Sequence, residues 1–337
     1  MTKKEKFLSV LRNDQPMKWM GHAYEANRQD LMFFCTMDPI SIWDILFIEG
    51  DDVLDNWGVN HRYHPGEDPG IIPMVTEENQ VIKDITKWRD YVHFPEIPNL
   101  DWSGSIAEVE KTDRDEYLVM VPSFRGLFER AHCLMTFEDT LINMYEEPEA
   151  MNELFGAYAD WKLKVFEQLI DNMKPDIIHT HDDWGSGTGL FFSPAKFEEL
   201  LLPHYKRIYG YIKDRGVLIQ HHCDSYIMGL EKYFVELGID MWQGAYCTND
   251  IQAIKKNTGN KMLIMGGIDQ GKIDKAQGEI TEAEVRAEVR RTIDEYAPGG
   301  SFLPCMPSGG VSLNAWIDPI VADECNTYGA EWLKKNT

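Results

Sequence analysis

Basic residues are scarce in this chain: 33 Lys and Arg stand against 56 Asp and Glu in 337 residues, a formal charge of −23. A surface of that sign repels nucleic acid and anionic membrane, so neither is an expected partner. Long apolar runs are missing as well. None approaches the ~18 residues that a membrane-spanning helix needs. The opening Met1-Thr2-Lys3-Lys4-Glu5-Lys6 carries no apolar segment of the secretory kind. Cysteine is sparse, six in all and without framework spacing, so the expected compartment is a reducing cytoplasm. No Gly-x-Gly-x-x-Gly and no Walker sequence follows any candidate strand, which argues against dinucleotide and NTP binding.

What is present describes a soluble α/β protein. Hydrophobic residues make up 43% and charged residues 26%. From Tyr117 onward, short apolar runs at 117–122, 176–183, 217–224, 239–243, 261–267 and 301–305 alternate with helical periodicity. A further run at 19–25 makes seven candidate strands. Strict alternation of this kind predicts parallel βα units. The expected fold is one distorted (β/α)₈ TIM barrel spanning residues 1–337, with a hairpin-bearing insertion after the first strand. Turn signals at Gly58, Pro65-Gly66, Asp68-Pro69-Gly70 and Pro73 mark that insertion, with 80–84 as one of its β-like runs. A doubly wound sheet is the alternative. Trp57, Trp88 and Trp102 are expected to pack rather than to react.

The chemistry is expected at strand ends, where α/β sites gather. The run 217–224 ends Gln220-His221-His222-Cys223-Asp224. Residues two apart on a strand share a side, so His221 and Cys223 project together and His222 is expected to face the barrel wall. A second run delivers Cys305. One imidazole and two thiolates suit zinc, and three ligands leave an open catalytic position. Glu25 is the expected fourth ligand, with Gln243 and Cys247 as rivals. Asp182 and Asp183 close the 176–183 strand as candidate catalytic acids, and His179 is expected to be a core histidine. Gly309 and Gly310 either let a loop approach a bulky tetrapyrrole or are ordinary turn glycines.

Several stretches resemble the uroporphyrinogen decarboxylase superfamily, over nearly the full chain. They are the opening run at 4–11, Asp55-Asn56-Trp57-Gly58-Val59, and Val81-Ile82-Lys83-Asp84-Ile85 with Trp88-Arg89-Asp90-Tyr91-Val92. Asp182-Asp183-Trp184-Gly185 with Ser193-Pro194 completes the set. The resemblance implies a distorted TIM barrel. His221-x-Cys223 with distal Cys305 resembles the zinc-dependent methyltransferase branch, whose members move methyl groups between corrinoid proteins and thiols such as coenzyme M, or demethylate small substrates. It implies zinc, a corrinoid carried on a separate protein, and a small methyl donor or thiol acceptor. Asp224-Ser225 stands where that branch has glycine, which leaves the direction and partner of transfer open. A tetrapyrrole carboxy-lyase is the alternative. Its arginine clamp is not matched by the loop Ala23-Tyr24-Glu25-Ala26-Asn27-Arg28-Gln29-Asp30, where Glu25 sits near the position at which the clamp should begin.

Overall fold

Thr2 and Glu5 form a reciprocal capping box that starts α1 (Lys3–Leu11), whose buried side carries Phe7 and Val10. The structure, a computed structural model, describes residues 1–25, 48–64, 72–97, 101–308, 312 and 314–336. The run at 19–25, expected as a strand, forms no ladder. One bond from Ala23 N to Pro304 O (3.4 Å) attaches it to the edge of the main sheet. Its apolar character comes from packing against the last helix: a Cβ on Gly21 would lie 2.5 Å from Asn326 Oδ1.

The expected insertion is a small antiparallel sheet, β1 (Gly50–Leu54), β2 (Asn60–Tyr63) and β3 (Ile72–Pro73). The run at 80–84 is not part of it; Ile82 N bonds instead to Leu134 O (2.8 Å). Buried Asp55 organises the turn, accepting from Trp57 N (2.8 Å), Val59 N (2.9 Å) and His61 Nε2 (2.9 Å). Burial raises the Asp55 carboxyl, but His61 and Arg130 outweigh it and hold the group below its ordinary value. Arg130 also lies 4.4 Å above the Trp57 ring, which ties the insertion to the first helix beyond β4. Trp57, Trp88 and Trp102 are all buried, as packing residues should be.

Six strands then follow in chain order as one parallel sheet: β4 (Met120–Ser123), β5 (Ile177–His181), β6 (Leu218–His222), β7 (Met241–Ala245), β8 (Leu263–Gly267) and β9 (Phe302–Cys305). Nearly every residue in them is buried, because helices cover the sheet. Those helices are α2 (Leu127–Leu134), α3 (Phe137–Glu146), α4 (Pro148–Met173), α5 (Leu202–Asp214), α6 (Glu231–Glu236), α7 (Ile251–Asn257), α8 (Glu282–Tyr296) and α9 (Asp318–Asn336). In α4, Pro148 occupies the first turn and Leu154, Tyr158, Trp161, Val165 and Leu169 form the buried stripe. Lys174, at φ 46°, ends it in the left-handed region. Among the described residues no helix is long and apolar enough to cross a membrane. Parallel strands place all their carboxyl ends on one side, and the candidate site lies there.

Candidate metal centre

Register decides which side chains meet. His181 of β5 pairs with His222 of β6, which pairs with Gln243 of β7. The three therefore share one face, as do His179 and Gln220 one step below, joined by His179 Nδ1 and Gln220 Oε1 (2.7 Å). The His181 and His222 rings stack with centroids 4.3 Å apart. Asp183, just past β5, joins them: ligand atoms of His181, Asp183 and His222 lie within 4.8 Å of one another. Among the described residues this is the one group of three such side chains that could hold a metal ion.

Hydrogen bonds prepare both imidazoles. Gln243 Nε2 must donate to Pro307 O (2.9 Å), since a carbonyl only accepts. That turns Gln243 Oε1 toward His222 Nδ1, which has to be the N–H. The Glu129 carboxylate, also acceptor-only, meets His181 Nδ1 at 2.9 Å. Each ring thus has Nδ1 engaged and Nε2 left as the ligand position, from which a bound metal would displace the His181 proton.

The electrostatics ask for a cation. Burial works against the His181 cation, yet the facing Glu129 overrides it and raises His181 to about 10. Burial likewise raises Glu129, and His181 outweighs it, holding that carboxyl well below its ordinary range. Burial pushes Asp183 well up; Glu129 and Asp224 push it further while His181 opposes them. Asp224 is raised by burial too, and its backbone N–H donates to Asp183 Oδ1 (3.0 Å). Glu129, Asp183 and Asp224 share one imidazolium, a deficit that a divalent ion would fill. A cleft of about 410 Å³ opens beside them, bordered by Asp183, Asp224, Phe137, Phe191 and Tyr246.

None of the expected ligands belongs to this group. His221 faces the helix layer, not the interior: its Nδ1 meets Tyr209 OH (2.8 Å) and Thr180 Oγ1 (3.1 Å), and Trp184 stacks on its ring at 4.4 Å. His222 accordingly faces inward, the reverse of the expected orientation. In a strand covered on both faces, Val217-Leu218-Ile219 is apolar throughout, so alternation leaves the choice of side open. Burial drives His221 down to about 3, and its Nε2 has no partner among the described residues. Cys223 and Cys305 are fully buried, and burial pushes both thiols well above the ordinary range. Cys305 shares the Gln243 side chain with His222 but is not in the convergent group. Nor is Glu25, which sits in a turn on His22 O (3.1 Å), nor half-buried Cys247. Gly309 and Gly310 lie outside the described residues.

Asp182 and Asp183 take different parts. Asp183 borders the cleft, whereas Asp182 is fully buried and points at α2. Asp182 accepts from Glu129 N (2.8 Å), Phe128 N (3.2 Å), Trp184 Nε1 (2.8 Å) and the Tyr205 hydroxyl. It caps the helix that carries Glu129. A Cβ on Gly126 would come 2.2 Å from Asp182 Cβ, so only glycine fits there. Glu129 itself gives no local signal, since it lies in a helix 52 positions from His181. The inward set did leave one: polar His179, His181, Gln220, His222 and Gln243 occupy matching positions across three neighbouring strands.

A family model described as uroporphyrinogen decarboxylase (URO-D) matches residues 45–315, well over half of the chain. The chain belongs to that family. Two curated relatives, both uroporphyrinogen decarboxylases, are similar to it. That of Syntrophotalea carbinolica is 26% identical over 165 residues, 47% of this chain and 43% of the relative. That of Carboxydothermus hydrogenoformans is 26% identical over 190 residues, 54% of this chain and 50% of the relative. The chain thus spans about half the length of the curated relatives it matches. Among solved structures, a methyltransferase from Methanosarcina mazei covers 96% of this chain and 99% of its own, with a TM-score of 0.61 at 10% identity. That likeness shows the fold.

Proposed function

We propose that this chain, a single domain over residues 1–337, is a zinc-dependent methyltransferase. It would act between a corrinoid on a separate protein and a thiol or small methylated substrate. The observation that carries the reading is the convergence of His181, Asp183 and His222 beside an open cleft. Two imidazoles and a carboxylate with a free position form a catalytic zinc donor set. Bound there, zinc would lower the pKa of a thiol or polarise the heteroatom of a methyl donor. Glu129 and Gln243 orient the two rings, Asp182 fixes the helix bearing Glu129, and Asp183 completes the set. Five described cysteines are free thiols, in keeping with a reducing cytoplasm.

The carboxy-lyase named for the curated relatives is disfavoured by the same cleft. A polycarboxylate would meet Glu129, Asp183 and Asp224 there, and among the described residues His132 is the one basic residue lining it.

Elemental analysis of purified protein tests the reading, alongside methyl transfer from methylcobalamin to a thiol. About one zinc per chain is expected, lost in His181→Ala, Asp183→Asn and His222→Ala and kept in His221→Ala, Cys223→Ser and Cys305→Ser. The reverse pattern of loss would move the ligand set to the His-x-Cys pair and Cys305. A metal-free protein would sink both versions.

A further inference from the structure

The cleft beside the metal centre has a composition that selects a ligand. Its lining carries the carboxyls of Glu129, Asp183 and Asp224. The aromatic rings of Phe137, Phe191 and Tyr246 border it as well. Phe137 and Phe191 meet edge to face at 4.9 Å, and Phe191 stacks on Phe128 at 5.9 Å, so this wall is held in place from behind. Phe137 still leaves 41% of its surface open. Tyr246 enters from the loop after β7, its hydroxyl 3.4 Å from Ser308 Oγ, which in turn lies 3.3 Å from Asp224 Oδ2.

Aromatic faces attract cations that are too weakly hydrated to prefer water, and alkylated ammonium groups are the chief example. Asp224, outside the ligand set, supplies a carboxyl of the opposite sign at the same site and disfavours anions. Among the described residues Arg and Lys are absent from the lining and His132 alone is basic, packing edge-on against Phe128 and Phe137 at 5.4 and 5.8 Å. At about 410 Å³ the space suits a small molecule.

We infer that the small substrate of this site carries an alkylated ammonium group, seated between Phe137, Phe191 and Tyr246 above Asp224. The inference rests on the methyltransferase reading for the chemistry at the metal, but the pocket's preference for a cation is testable without it.

Three molecules of nearly equal shape separate the possibilities: choline (cationic), 3,3-dimethylbutan-1-ol (neutral) and 3,3-dimethylbutanoate (anionic). Each is titrated calorimetrically into the full chain, once as purified and once after chelation of metal. Choline should bind roughly tenfold tighter than the neutral isostere, and the anion more weakly still. Phe191→Leu, Tyr246→Leu and Asp224→Asn should each remove most of that preference while the unfolding temperature stays within a few degrees. Tyr246 is half-buried, so its variant keeps the test open if Phe191→Leu does not fold. Equal binding of choline and the neutral isostere, or tighter binding of the anion, overturns the inference. Choline preference in a protein that holds no zinc and moves no methyl group would sink the metal reading alone. Zinc-dependent methyl transfer without choline preference would sink the cation pocket alone.

Discussion

Removing one hydroxyl should reveal what holds the centre together. Tyr205 is 2% exposed, and its OH both donates to Asp182 and accepts from Leu127 N at 3.0 Å. Tyr205→Phe keeps the ring and its packing but deletes both bonds. A bond to a buried carboxylate contributes about 1.5–3 kcal/mol, and stranding a buried N–H costs about 1–3 kcal/mol. Their sum, about 2.5–6 kcal/mol, is a large part of an ordinary folding free energy. For a chain of this size each kcal/mol lowers the melting temperature by about 2 °C, so a fall of about 5–12 °C is expected. Urea unfolding and calorimetry both read it. Zinc content should persist at low temperature, because Asp182 still accepts from Glu129 N, Phe128 N and Trp184 Nε1. Asp182→Asn should cost more, since an amide cannot accept at both positions. A loss below about 1 kcal/mol for Tyr205→Phe would refute the clamp. Metal lost from a fully stable Tyr205→Phe protein would instead place Asp182 at the chemistry.

Glu129→Gln keeps an acceptor for His181 Nδ1 but removes the charge, so zinc affinity in competition with a chelator should fall roughly tenfold, and roughly a hundredfold for Glu129→Leu. Unchanged affinity in both would show that His181 is oriented without help. His179, 4% exposed, is pushed down to about 4 by burial. The unfolded chain takes up that proton near pH 6.5 and the folded one only near 4, so the stabilising contribution is present above 6.5 and lost as pH falls. Relative to His179→Gln, the natural protein should lose about 3 kcal/mol between those limits in urea titrations; parallel pH profiles would refute it.

The strands from residue 117 on could be read from the chain because each is short, largely apolar and separated from the next by helical periodicity. The run at 19–25 carried the same signal for a different reason, since burial against Asn326 and the last helix needs apolar residues as much as pairing does. Composition therefore reports burial, and pairing only by inference. The same limit governed the site. Alternation ties His221 to Cys223 and opposes both to His222, but a strand buried on both faces gives no sign of which set looks inward. That sign lay in other strands, where His181 and Gln243 carry polar groups in register with His222. A motif read along one strand misses it, and only pairing across three strands brings it out. Glu129 lies further still from local reading, because a helix cap at Asp182, a glycine at 126 and a tyrosine at 205 combine to set its place. Each of those residues supports the candidate site without belonging to the convergent group, so their substitutions should act through stability and side-chain orientation together.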